Sequence, residues 1–499
     1  MATPGRGSAG ITPHNSEHSM DRGLYPGMGE ALHHILERHQ AWRATWPDFG
    51  SDATLTHSEE DILTVLDELL ERLGDNYPFF HPLYAGQMLK PPHPAAMLGY
   101  FAAMLINPNN HALDGGPATG AIEKEVVADL ARMFGYDAHL GHLTSSGTIA
   151  NLEALWIARQ LHPDRAVAFS DQSHYTHRRM CEVLGMRGIE VPSDNRGRMD
   201  LDALQRLCLS ENIGTVVATL GTTGLGALDP LPALLESGRR LGFRVHADAA
   251  YGGFFRLIAD GAADGVAAEA YAALSACDSI VVDPHKHGLQ PYGCGCVLFR
   301  DPTVGRFYVH DSPYTYFTSD ELHLGEISLE CSRAGASAAA LWTTLRLLPL
   351  EAHAGLGAVL RRCRRAALDF ADVLRVSERF FLVMEPELDI VVYFPATEKL
   401  SASGISAASD RIFATTMSDT DNPVYLSKFR VRSSLLQQRY PQLLADREWT
   451  TVLRSVLMKP EQADWVPRLH RLLEEHASAL SGHNETREQE DEDPTRTTE

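Results

Sequence analysis

Several short stretches of this chain place polar side chains where they could do chemistry together. In LTSSGTIANLEALWIARQL, Leu143 to Leu161, the residues Ser145, Ser146, Gly147 and Thr148 stand just before an amphipathic helical pattern. Hydroxyls, a tight turn that glycine permits and a helix N-terminus together make a cradle for an anion such as phosphate. Ser and Thr are also favoured helix caps, so this stretch alone does not separate the two uses. In HADAAYGG, His246 to Gly253, Asp248 ends a strand-like run and is followed by small residues that would let a flat ring approach the backbone. A carboxylate emerging from a buried strand needs a cation or donors to stay charged. In SIVVDPHKHGLQPYGCGCVLF, Ser279 to Phe299, another strand-like run is followed by Asp283, His285 and Lys286. Taken singly, a lysine in that setting reads as a surface residue. SDQSHYTHRR puts His174 after a strand-like run, and TLGTTGLGALDPL supplies Thr222 and Thr223.

In combination these pieces say more. A phosphate cradle, a strand-end carboxylate and a later strand-end lysine, in that order, are the three anchors that pyridoxal 5′-phosphate (PLP) requires: donors for its phosphate, a carboxylate for its ring nitrogen and an amine for its aldehyde. The glycines at 221, 224 and 226 do not make a dinucleotide loop, because no acidic residue follows at the proper strand end of a βαβ unit. The elements that must position the anchors read as an alternation of short β-branched runs with longer helical patterns between about Pro91 and Leu348, the pattern of a mostly parallel sheet covered on both faces. Strands are expected at Val167–Ser170, Thr215–Leu220, Arg244–Asp248, Ser279–Asp283 and Cys296–Phe299. Ligands of open α/β sheets bind at the carboxyl ends of the strands, where these polar loops lie.

Around that core the chain divides into an N-terminus without order (1–22), a helical arm (23–90), a cofactor-binding large domain (91–348), a smaller C-terminal α+β domain (349–482) with a strand at Asp389–Phe394, and an acidic tail without order (483–499). The arm carries helical periodicity from Leu24 to about Trp46 and from Ile62 to Leu73. His33, His34 and His39 lie on it without acidic or Cys partners and read as helix-surface or interface residues rather than metal ligands. With 499 residues, 44% hydrophobic and 22% charged, the composition is that of a soluble globular protein with no bilayer-spanning run. The first residues lack the apolar stretch of a secretory signal, which leaves the cytoplasm as the expected location. The seven cysteines are odd in number and scattered, so thiols are expected rather than a disulfide framework, and the lone C-x-C at Cys294 and Cys296 is too little for a zinc site. A net charge of −21 argues against a nucleic-acid partner.

From about Tyr77 to Leu348 the chain resembles the group II PLP-dependent decarboxylases, which include glutamate, aromatic amino-acid and bacterial tyrosine decarboxylases. The phrases NPNN, TSSGTIANLEALW, SDQSHY, HADAAYGG, DPHKHGLQPYG and SRAGASAAALW, in that order, carry the resemblance. It implies the aspartate-aminotransferase-like fold (fold type I), a homodimer, and an enzyme that decarboxylates an L-amino acid, an aromatic one such as tyrosine being favoured over glutamate, aspartate or an aliphatic one. Position by position, it implies Lys286 as the residue that binds the cofactor covalently, His174 stacked on the ring and Asp248 on its nitrogen. Ser146, Gly147, Thr148 and His285 match phosphate-contacting positions, Ala250 one against the ring and Thr223 one near the lysine link. A loop tyrosine delivers the final proton in this family. Both Tyr292, as in bacterial tyrosine decarboxylases, and Tyr314, as in animal aromatic decarboxylases, match it, with Tyr292 favoured. Asp283 and His287 fall where the branches differ. Other outcomes on the same scaffold, such as transamination, lyase chemistry or oxidative deamination, and a non-catalytic role, are the competing readings.

Overall fold

The computed structural model describes residues 25–112, 114–309 and 328–491, with side chains to residue 479. The expectations for 1–22 and for Tyr314 lie outside the described residues. The chain forms two compact units, Met1–Leu55 and Thr56–Glu499. The first contains helix α1 (Met28–Arg43), which buries none of its residues. The second opens with α2 (Glu59–Leu73), capped by Ser58, whose hydroxyl accepts the Asp61 N–H.

The centre of the second unit is a seven-stranded sheet in the order β1-β7-β6-β5-β4-β2-β3. Its strands are β1 (Leu140–Thr144), β2 (Ala166–Ser170), β3 (Gly188–Val191), β4 (Ile213–Thr219), β5 (Arg244–Asp248), β6 (Ser279–Val282) and β7 (Gly295–Phe299). β2, β3, β4, β5 and β6 pair with one another in parallel, and β7 runs antiparallel to both β6 and β1. Every residue of β4 and of β6 is buried, as expected for parallel strands covered on both faces. Helices α3 (Pro94–Met104), α4 (Pro117–Phe134), α5 (Gly147–Leu161), α6 (Thr176–Leu184), α7 (Leu201–Ser210), α8 (Leu231–Leu241) and α9 (Ala268–Ala272) precede or separate these strands, and α10 (Gly335–Leu347) packs on α3 and α4.

The expected strands are present with small shifts. The run around 215 starts earlier, at Ile213, and ends at Thr219, while β6 ends at Val282 so that Asp283 begins the following turn. A second, antiparallel sheet has the order β10-β11-β9-β8, formed by β8 (Phe380–Leu382), β9 (Ile390–Pro395), β10 (Ser427–Arg432) and β11 (Trp449–Val456). It packs with α11 (Gly355–Val376), α12 (Ala402–Ser418) and α13 (Ser433–Arg439), and α14 (Gln462–Asp491) packs on α11 and α12. Helix α14 continues to Asp491, into the stretch expected to lack order. Its Glu, Gln and Arg residues are good helix formers, a signal that low hydrophobicity alone does not read. Among the described residues no helix is long and apolar enough to cross a membrane.

Candidate active site

Because β1, β2, β4, β5 and β6 all point the same way, their carboxyl ends deliver five loops to one edge of the sheet. There they line a cleft of about 270 Å³ whose walls include Ser146, Gly147, Thr148, His174, Thr223, Asp248, Ala250, His285 and Lys286. The separate sequence anchors thus meet at one place.

The cradle follows β1. Ser146 adopts an extended backbone and its hydroxyl accepts the Ile149 N–H at 3.3 Å, which starts α5 and leaves earlier N–H groups of the first turn without helical partners. The loop is fixed from below: Glu123 accepts from the Leu143 N–H (3.0 Å), from the Asn110 amide (2.6 Å) and from the Arg333 guanidinium (2.6 Å). Arg333 also donates to the Leu143 and Asn110 carbonyls. The phrases NPNN and SRAG, far apart in sequence, therefore form one clamp beneath the cradle. Burial raises the Glu123 carboxyl, but the Arg333 charge and hydrogen bond, with His142 and Asn110, outweigh it and hold it below the usual carboxylate range. Removing one partner of such a buried pair costs about 3–5 kcal/mol.

Asp248 ends β5 at the cleft floor. Its Oδ1 accepts the Ala250 N–H (3.1 Å), and its Oδ2 accepts Nε2–H of His177 at 2.8 Å. Burial raises this carboxyl, but the His177 hydrogen bond and charge, with His246 and Lys286, prevail and hold it well below the usual range. It stays an anion, as a partner for a protonated ring nitrogen must. His246, on the same strand, is its neutral neighbour. Its Nε2–H donates to Asn151 Oδ1 and its Nδ1 accepts from Ser279, both at 2.8 Å, while burial, with the His177 charge, pushes it down to about 3. His177 and His246 were not picked out in the sequence. The only signal for His177 is its position three residues after His174, at the start of α6.

His174 receives the Thr176 N–H on Nδ1 (3.3 Å) and lies 2.7 Å from the Thr176 hydroxyl through the same atom. An N–H can only donate, so the imidazole proton sits on Nε2. Burial lowers its pKa, Lys286 and His177 add to that, and Asp248 and Asp283 oppose it. His285 donates Nδ1–H to the Cys294 carbonyl at 2.8 Å, and burial keeps its pKa low. Behind the lysine turn, Asp389 accepts from Tyr251 (2.5 Å) and from Nε2 of His287 (2.7 Å), which ties the second sheet to the residue after Lys286. Leu289, at φ 61°, reverses the chain in a left-handed conformation unusual for a leucine. Its carbonyl accepts the His93 N–H at 2.9 Å.

Tyr292 is not itself among the cleft-lining residues but lies beside one of them. It is 61% exposed, its hydroxyl donates to the Met88 carbonyl (3.2 Å), and its ring centroid is 5.0 Å from that of His285.

Residues 76–395 match the family model described as the pyridoxal-dependent decarboxylase conserved domain. The chain belongs to this family of pyridoxal-dependent decarboxylases. It is 26% identical to an L-tyrosine decarboxylase of Enterococcus faecium over 86% of this chain and 92% of the relative. It is 32% identical to a probable L-tyrosine/L-aspartate decarboxylase of Methanothermobacter thermautotrophicus, over 62% and 82%. A crystal structure of Oryza sativa TDC with PLP and tryptamine shares the fold, with a TM-score of 0.73 at 18% identity over 94% of this chain and 100% of that one. The protein is thus an amino-acid decarboxylase of fold type I with PLP as cofactor. The donor set fits that group: an ionised carboxylate on the cleft floor, a helix N-terminus carrying hydroxyls, and a lysine amine between them.

Proposed function

We propose that this enzyme decarboxylates an aromatic L-amino acid, tyrosine first among the candidates, to the corresponding amine. The observation that carries the site is the convergence of Asp248, His174 and Lys286 in one cleft at the strand ends. The substrate preference rests on the names of relatives, among them L-tyrosine decarboxylases and, as the competing substrate, L-aspartate decarboxylases.

In this reading Lys286 is the amine that binds the cofactor, Ser146, Gly147, Thr148 and His285 hold its phosphate, and Ala250 and His174 face its ring, with Thr223 near the lysine. The cofactor supplies an electron sink for the bond being broken. Asp248, kept ionised, holds the ring-nitrogen proton that makes the sink effective. His174, with its proton on Nε2, offers a donor to the substrate carboxylate. Tyr292 carries a phenol, which is protonated at neutral pH and can deliver a proton, as can Tyr314.

We further read the enzyme as a cytoplasmic homodimer built from the arm, large and small domains described above. Its cysteines are all thiols, which suits a reducing compartment. Helix α2 exposes Ile62, Leu66, Leu69 and Leu73 at helical spacing, a face that a second copy of the chain would cover.

Two measurements test the reading. Lys286→Ala is expected to lose the visible absorption of the bound cofactor and all turnover, and borohydride reduction of the parent should label Lys286; a label on another lysine overturns the assignment. A panel of L-amino acids assayed for released CO2 should give the highest kcat/KM with tyrosine. A higher value with aspartate overturns the substrate assignment.

A further inference from the structure

Asp283 has no role in the reading above, yet it touches the lysine on which that reading turns. It follows β6 directly, its N–H donating to the Ala250 carbonyl (3.2 Å) and its own carbonyl accepting the Lys286 N–H (2.9 Å). That turn folds the lysine back over the carboxylate, with Nζ 3.0 Å from Oδ2. His285 Nε2 lies 3.5 Å from the same oxygen. The side chain is 3% exposed and its Oδ1 has no hydrogen-bond partner. Both oxygens press on Gly147: a Cβ there would lie 2.5 and 2.7 Å from them. The carboxylate is therefore wedged between the first residue of α5 and the lysine amine. That is the end of the cleft where Gly147 and Thr148 would hold a phosphate.

We propose, on the reading that Lys286 is the amine that binds the cofactor, that Asp283 is the docking group for the Lys286 ammonium when that amine is free, and that it competes with the cofactor on two counts. An ammonium has no lone pair to attack a carbonyl. Capture requires one proton to leave Nζ for solvent; the amine then forms the nitrogen–carbon bond, and the carbonyl oxygen departs as water with the two remaining amine hydrogens. A carboxylate in contact with Nζ, 3.0 Å away, opposes the first of these events, since losing the proton gives up the ion pair. The same carboxylate places a negative charge beside the cradle and so also opposes an arriving phosphate. When an incoming substrate amine displaces the lysine, Asp283 is positioned to receive it. The other titratable groups around the pair are His285 on the same turn, Asp248 from β5, His174 before α6, and Tyr292 and Cys294 after the turn. Lys286 is thus the cation between two buried carboxylates, and Asp283 is the one in contact.

The test uses the full chain stripped of cofactor, as parent and as Asp283→Asn, which keeps the shape and removes the charge. Stopped-flow absorption follows capture of pyridoxal, which lacks the phosphate, and of PLP, at pH 7. Borohydride trapping then identifies the labelled lysine. Pyridoxal capture should be at least about tenfold faster in Asp283→Asn than in the parent. PLP should gain more than pyridoxal, because a repulsion is removed as well. Asp283→Ser, also uncharged but smaller, should show the same gain, which separates charge from packing. Equal rates with Lys286 labelled, or a gain in Asp283→Asn that Asp283→Ser lacks, overturn the docking role alone. A label on another lysine overturns the reading of Lys286 and the docking with it.

Discussion

At the scale of single residues, Asp248 is held from two sides by donors, the Ala250 N–H and His177. An asparagine there keeps one acceptor oxygen but turns its NH2 towards one of those donors, and it cannot hold a proton on the ring nitrogen. Asp248→Asn is therefore expected to lower kcat by about 10²–10³-fold, in line with losing a preorganised electrostatic partner, while the cofactor still binds. Steady-state rates beside the cofactor absorption spectrum check this, and near-parental kcat would refute the role. The proton donor is also a one-atom question. Tyr292→Phe should leave CO2 release intact while the amine yield falls and aldehyde, or a pyridoxamine form of the cofactor, accumulates. Tyr314→Phe is the matched comparison, and product analysis of both identifies the donor. If both variants form amine at the parental rate, neither phenol delivers the proton.

At the scale of elements, β5 carries a pH dependence of stability through His246. Its folded pKa of about 3 lies below the roughly 6.5 of an unfolded histidine. Above about pH 6.5 both states are neutral and the full stability is present. As the pH falls from there towards about 3, the unfolded chain binds a proton that the folded chain refuses, and stability declines by up to about 1.4 kcal/mol per pH unit from this one group. Denaturant titrations between pH 7 and pH 4 should show that slope, and His246→Gln should flatten it. An unchanged slope in the variant would place the acid sensitivity elsewhere. The clamp of Glu123, Arg333 and Asn110 works at the same scale, since it lets α4 and the segment before α10 hold the end of β1 rigid beneath the cradle.

At the scale of the whole molecule, the exposed apolar face of α2 leads to an expectation about assembly. Leu66 and Leu69 are 45% and 49% exposed in the single chain. The purified enzyme should sediment as a dimer, and Leu66→Asp with Leu69→Asp should shift it towards the monomer, because a charge in an apolar interface is costly to desolvate. A parental protein that sediments as a monomer at micromolar concentration removes the homodimer from the proposal.

The sequence alone determined the order of the anchors and the kind of sheet that presents them. Ser146, Asp248 and Lys286 each sit within a few residues of the end of a strand-like run, and such local patterns survive without knowledge of the fold. In a parallel sheet the strand ends share one edge, so order along the chain already implies a shared cleft. The tertiary structure decided what lies across that cleft and beneath it. His177 lies 71 residues from Asp248, Arg333 lies 210 from Glu123, and Asp389 lies 102 from His287, so no local pattern pairs them. Each of these contacts gives a buried carboxylate a hydrogen-bond donor, and the identity of that donor is set by which elements pack together. The same holds for Asp283: its place before Pro-His-Lys is legible in the chain, but only the packing of α5 against the turn after β6 sets its carboxylate between Gly147 and the Lys286 amine.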